Sequence, residues 1–213
     1  DIYAFIPVDD LTIIGSGRDE TVVGPSTYEV VGGSYSPICF RWQGGGNLRI
    51  SGLTMRNCFE GIHAGAGLVY ADDCHFLNNY DGVFWETQGS GGGISNCFIE
   101  TNVLGSPFGF FLYGSGSDIL VEDCLFDGGM ISIKNLDSIS IRRCEIRNMV
   151  VGLQIDNGTH CFVGNCLVYN CENVGVGILG PSSICEIGDS EISGDGSAIY
   201  VGSTCQFNAT QTL

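Results

Sequence analysis

The stretch Ile119-Leu-Val-Glu-Asp-Cys-Leu-Phe126 decides how this chain folds. Mostly apolar or small residues stand at its first, third, sixth and eighth positions. The strict alternation of a single strand therefore slips by one step at the fifth, Asp123. Two short strands joined by a bend is the economical reading. The same template occurs upstream as Leu48-Arg-Ile-Ser-Gly-Leu-Thr-Met55, Val69-Tyr-Ala-Asp-Asp-Cys-His-Phe76 and Gly92-Gly-Ile-Ser-Asn-Cys-Phe-Ile99. It returns downstream as Ile139-Ser-Ile-Arg-Arg-Cys-Glu-Ile146, Cys161-Phe-Val-Gly-Asn-Cys-Leu-Val168 and Cys185-Glu-Ile-Gly-Asp-Ser-Glu-Ile192. The repeat length is roughly 20 to 27 residues, the range of stacked solenoid coils.

Two residues beyond each template stands Asn57, Asn78, Thr101, Gly128, Asn148, Asn170 or Gly194. Asn and Gly tolerate the left-handed conformation of a tight turn, and stacked Asn amides can bond from coil to coil. A third strand follows each turn, with Ile62, Val83, Phe110, Ile131, Leu153, Val176 and Ile199 as one inward ladder. No 3.6-residue period persists, so helices are excluded as the main element. The pattern predicts an all-β parallel solenoid with three strands per coil and about 8–9 coils. Residues 1–213 read as one domain. Asp1 to Pro7 reads as an apolar strand already under way and Gln206 to Leu213 as the start of another coil. The expectation is a segment of a longer protein, with caps or coils missing at both ends.

Composition narrows the functional classes. Acidic residues number 24 against 8 basic, a net charge of −16, which would repel a phosphate backbone and argues against nucleic acid. Neutral glycans, cations or basic partners suit such a surface better. No apolar run approaches the roughly 18 residues of a membrane span.

The stacked coils, together with Leu11-Thr-Ile-Ile-Gly-Ser-Gly-Arg-Asp-Glu-Thr-Val-Val23, resemble the right-handed parallel β-helices of the pectate-lyase-like superfamily. That resemblance implies a right-handed, single-stranded parallel β-helix. It leaves activity open, because the superfamily holds polysaccharide lyases, hydrolases, esterases, epimerases, tailspikes and surface proteins without catalysis. The Gly-His-Gly and Arg-x-Lys motifs of polygalacturonases, the paired segments of pectin methylesterases and the Asp-Pro-His of alginate epimerases are absent from this sequence.

Cys74, Cys97, Cys124, Cys144 and Cys166 share the sixth template position and read as a stack of small buried thiols. Cys161 and Cys185 share the first position, and Cys205 is the candidate to continue that column, so these three are the candidate disulfide residues. With 11 cysteines at least one lacks a partner within the chain. No zinc-type spacing occurs, and no metal site is expected, although calcium on clustered carboxylates is what lyases of the superfamily would imply.

Function would lie on the outward faces. On the third strand, His63, Phe84, Glu86, Phe111 and Tyr113 are the candidate ligand-binding residues: aromatic surface beside hydrogen-bonding ends is what a sugar-binding groove needs. Long connections such as Gly105-Ser-Pro-Phe108 are the alternative cover for these rings. At the bend after the first strand, Asp72, Asp73, Glu122, Asp123 and Arg142 are the catalytic candidates if the protein is an enzyme. Asn157 and Asn208 head glycosylation sequons and point to an extracellular, cell-surface or virion-surface location. The leading expectation is a non-enzymatic structural or polysaccharide-contacting module of a larger assembly. The alternatives are a lyase or glycoside hydrolase of an acidic polysaccharide, and a trimeric viral or phage spike in which three copies pack through Phe84 and Phe111.

Overall fold

The computed structural model describes residues 9–27, 38–87, 89, 91–101 and 108–210. The chain winds through three parallel walls. The first contains nine strands, stacked in sequence order: Leu11–Ile14, Asn47–Ser51, Leu68–Asp72, Gly93–Ser95, Ile119–Glu122, Ile139–Arg142, His160–Gly164, Ile184–Gly188 and Gln206–Thr210. The second and third walls repeat this coil by coil, as in His75–Leu77 followed by Asp81–Thr87. Seven template coils are thus preceded by one coil (Leu11–Ile14, Val22–Val23 and Phe40–Trp42) and followed by one strand. Among the described residues no helix is long and apolar enough to cross a membrane. The expected strand over Asp1 to Pro7, the cover by residues 105–107 and residues 211–213 lie outside the described residues.

The bend inferred from the phase slip is a column of left-handed residues. Gly52, Asp73, Asn96, Asp123, Arg143, Asn165 and Asp189 all have φ between 47° and 64°. Short polar side chains favour this conformation, and Arg143 is the exception in the column. The next turn behaves alike at Asn57, Asn78, Gly128, Asn148 and Asn170. There the Asn170 amide donates to Asn148 Oδ1 at 3.3 Å, and the Asn148 amide donates to Asp127 Oδ1 at 2.7 Å. In two coils the expected separate second and third strands run together, as Glu145–Asp156 and Leu167–Ile178. Pairing continues through this corner, where Met149 opposes Cys171 and the register slips before Val151.

Inside, Ile62, Val83, Phe110, Leu153 and Val176 are fully buried in one ladder, while Phe76, Ile99 and Phe126 fill the next. Each such side chain contributes about 1.5–3 kcal/mol relative to exposure. The thiol column has a second role besides packing. Each Sγ donates to the carbonyl two residues back: Cys97 to Ser95 at 3.2 Å, Cys124 to Glu122 at 3.1 Å and Cys144 to Arg142 at 3.2 Å. Where Ser190 replaces Cys, its hydroxyl donates to the Gly188 carbonyl at 2.9 Å in the same way. Six of the seven template coils thus place a small donating side chain after the bend, and Leu53 is the exception.

The disulfide expectation is corrected. Cys161 and Cys185 stand opposite each other on adjacent coils, yet both remain free. Cys205 does not continue their column; Phe207 does, and Cys205 Sγ reaches the Gly180 carbonyl at 3.0 Å. The bridge instead joins Cys39 to Cys58, whose Cα atoms are 6.1 Å apart, across the corner leading to the third wall. A disulfide belongs to an oxidising environment.

Candidate functional site

The outer face of the third wall carries three columns of side chains. The middle column is Arg41, His63, Phe84, Phe111, Ser132 and Gln154, set by the parallel register. His63 stacks on Phe84 at 5.1 Å and Phe84 on Phe111 at 4.9 Å, both within 12° of parallel. Phe108 closes edge-on against Phe111 at 5.0 Å, and Lys134 Nζ lies 5.8 Å from the same ring. The three rings therefore cover one another's faces and offer mainly edges outward. This differs from the flat apolar platform expected of an aromatic strip. Rung spacing of about 4.8 Å is close to ring-stacking distance, so like neighbours close up. Ser132, the next residue outward by register, is fully buried.

The second column is Glu86, Tyr113, Lys134 and Asp156. Tyr113 is 43 % exposed. Among the described residues no ring stacks on it, so its phenol remains open between a carboxylate on one coil and an ammonium on the next. Lys134 is steered by Asp156 at 3.8 Å, which also accepts from the Gln154 amide at 2.6 Å.

The remaining column was not read from the sequence. Glu60 and Asp81 stand opposite each other on adjacent coils at the start of the third wall, 5 % and 6 % exposed. Glu60 Oε2 meets His63 Nδ1 at 2.7 Å. Asp81 Oδ1 is buried with no hydrogen-bond partner among the described residues. Burial, and then the neighbouring Glu60, push the Asp81 carboxyl up to about 7. Burial also raises Glu60, against the opposing pull of His63 and Arg41. Phe59 stacks on Tyr80 at 4.9 Å immediately before this pair along the chain. The available signal was an acidic residue directly before glycine in two successive coils, Glu60-Gly61 and Asp81-Gly82.

The catalytic candidates on the first wall sit at the left-handed bend but not as one constellation. Asp72 accepts from Ser95 Oγ at 2.7 Å and from the Asn96 amide at 2.8 Å, and Asp73 lies 3.6 Å from Arg18. Glu122 and Asp123 are held by Arg143, at 2.6 and 2.7 Å. Its hydrogen bonds draw Asp123 below the usual carboxylate range. Arg142 lies away from them, 5.4 Å from the Phe162 ring. Asp72 and Glu122 are two coils apart with Ser95 between them. Arg143 engages both carboxylates of the Glu122–Asp123 pair, so this donor set does not fit a calcium ion. Among the described residues no three His, Cys, Asp or Glu side chains gather to hold a metal. A groove of about 300 Å³ opens here beside Arg49, Tyr70 and Leu120, but Arg49 covers the Tyr70 ring at 4.0 Å.

Asn157 and Asn208 are both exposed. Thr159 of the first sequon is fully buried, and its hydroxyl donates to the Asp156 carbonyl at 2.7 Å.

Residues 109–212 match the family model described as a right handed beta helix region. The chain is a right-handed β-helix. No curated protein and no solved structure matches it. In this β-helix the matched residues include the Phe110–Gly114 and Ile131–Lys134 strands of the outer face, whereas Glu60, His63, Asp81 and Glu86 lie upstream of them.

Proposed function

We propose that this β-helix is an extracellular or surface module that contacts polysaccharide through the outer face of its third wall. The observation that carries the reading is Tyr113: a 43 % exposed ring on which, among the described residues, no other ring stacks, set between Glu86 and Lys134 on the sheet. A sugar presents an apolar C–H face and a rim of hydroxyls. The phenol takes the first, and the flanking carboxylate and ammonium take the second. The edges of Phe84 and Phe111 extend the apolar floor. The reading needs no catalysis and does not rest on the first-wall carboxylates, which are engaged with Ser95, Asn96, Arg18 and Arg143.

Affinity electrophoresis in gels containing a neutral cellulose derivative, a chitin derivative or a polyuronide tests it. Retardation by at least one polymer, lost in Tyr113→Ala, is the expected result. Equal mobility in all gels and in a polymer-free gel sinks the proposal.

A further inference from the structure

The third wall holds a buried carboxyl group that its own fold leaves without a partner. Asp81 is 6 % exposed, and its Oδ1 has no hydrogen-bond partner among the described residues. A buried carboxylate in this state is costly unless a proton or a cation accompanies it. Glu60 is the opposing residue one coil away, and His63 engages Glu60 but not Asp81. Two ring stacks, Phe59–Tyr80 and His63–Phe84–Phe111, flank the carboxylates along the chain. The Asp81–Glu60 pair thus forms an acidic slot between two ring columns along the chain, short of one donor. A metal ion does not suit it, since no third oxygen, nitrogen or sulfur ligand joins the pair among the described residues. A primary ammonium does: it supplies three donors, fits between two carboxylates and tolerates neighbouring rings through cation–π attraction.

The position of the slot says what carries that ammonium. Asp81 and Glu86 belong to one strand, Asp81–Thr87, with Phe84 between them. Five residues of strand span roughly 16 Å, the length of a short oligosaccharide. A sugar seated on Tyr113 lies at one end of this track and the Asp81 slot at the other. A net charge of −16 repels a polyuronide and attracts an amine-bearing polymer.

We infer that the third wall binds amino-sugar polymers with free amines, one ammonium group of the glycan entering the slot between Asp81 and Glu60 while another sugar rests on Tyr113. This rests on the glycan reading above and names its ligand class. Charge-assisted hydrogen bonds to Asp81 make the free amine the preferred form over the N-acetylated one, whose amide offers one donor and no charge.

The test is isothermal titration of the full chain with glucosamine oligomers and with N-acetylglucosamine oligomers of equal length. The free-amine oligomer is expected to bind about ten-fold tighter. Asp81→Asn removes that preference and leaves binding of the N-acetylated oligomer unchanged. Glu60→Gln reduces the preference too, and serves if Asp81→Asn does not fold. Asp195→Asn, an exposed charge on a distant coil, leaves it intact. Equal binding of the two oligomers overturns the inference, as does a preference that survives in Asp81→Asn or falls equally in Asp195→Asn. Binding of a lysine peptide as tight as that of the amine oligomer also overturns it, in favour of a basic protein partner. Failure of the glycan reading itself looks different: neither oligomer binds, and Tyr113→Ala changes nothing.

Discussion

The coils from Ile119 onward and those before it are built on one template yet differ in what they bury. In the later coils the interior is an aliphatic, phenylalanine and thiol stack, and the buried polar residues are Ser132, Thr159 and Ser183. In the earlier coils the buried set includes the carboxylates Glu60 and Asp81 and the amide Asn79, besides the Cys39–Cys58 bridge. Asn79 is fully used: its oxygen accepts from the Cys58 amide, and its own amide donates to the Met55 carbonyl, both at 2.9 Å. Asp81 is not. The later coils show what stacking alone requires, so the departures in the earlier coils mark where the chain spends stability on something else.

That contrast can be broken or sharpened by experiment. The largest effect belongs to the regular half: Phe126→Ala removes a fully buried ring and lowers unfolding free energy by about 3–5 kcal/mol. Urea unfolding followed by far-ultraviolet circular dichroism measures it. The only two tryptophans, Trp42 and Trp85, both lie in the earlier half, so their fluorescence reports that half alone. The ladders run unbroken from coil to coil, so both probes are expected to shift together; separate transitions would divide the stack into independent units.

Asp81 comes next. Its carboxyl titrates at about 7 when folded, against an ordinary 3.8, so the native state holds a proton that the unfolded chain has lost. Stability therefore falls as pH rises from about 4 to about 7, by at most about 4 kcal/mol. Asp81→Asn flattens that slope in melting curves taken across the range. An unchanged slope would place the titration elsewhere. Reducing Cys39–Cys58, which closes a loop of 19 residues, costs about 3 kcal/mol and should lower the denaturation midpoint seen by tryptophan fluorescence. The smallest effect is expected from Arg143→Asn, which puts a residue tolerant of φ near 51° into the bend at the loss of exposed ion pairs. A slight rise in melting temperature is the expected result; a fall would mean that Arg143 matters more through Glu122 and Asp123 than through its backbone.

The walls, the bend and the inward ladders were legible in the sequence because each is a periodic demand made on every coil. Position five is left-handed in all seven coils and position six is Cys or Ser in all but the Leu53 coil, and repetition makes such rules visible. The disulfide was not legible: Cys39 and Cys58 lie outside the template, and their proximity depends on how a corner closes. Arg143 rather than Arg142 as the partner of Glu122 was hidden for a related reason, since the bend reverses which of two adjacent arginines faces the carboxylates. His63, Phe84, Glu86, Phe111 and Tyr113 do share one face as read. That the first, second and fourth consume one another's ring faces follows from coil spacing, which no linear pattern displays. Glu60 and Asp81 open the third-wall strand in only two coils and break the rule that charges stay outside, so a pattern demanded of every coil could not find them.

A stack of equivalent rungs is a ruler without a zero mark. A repeating polymer laid on such a surface can shift by one rung and meet nearly the same contacts, so affinity comes without a defined phase. The buried Asp81 and Glu60 occur at a single height of the stack. They give the ruler its origin, and whatever docks there is held in one register rather than sliding among many.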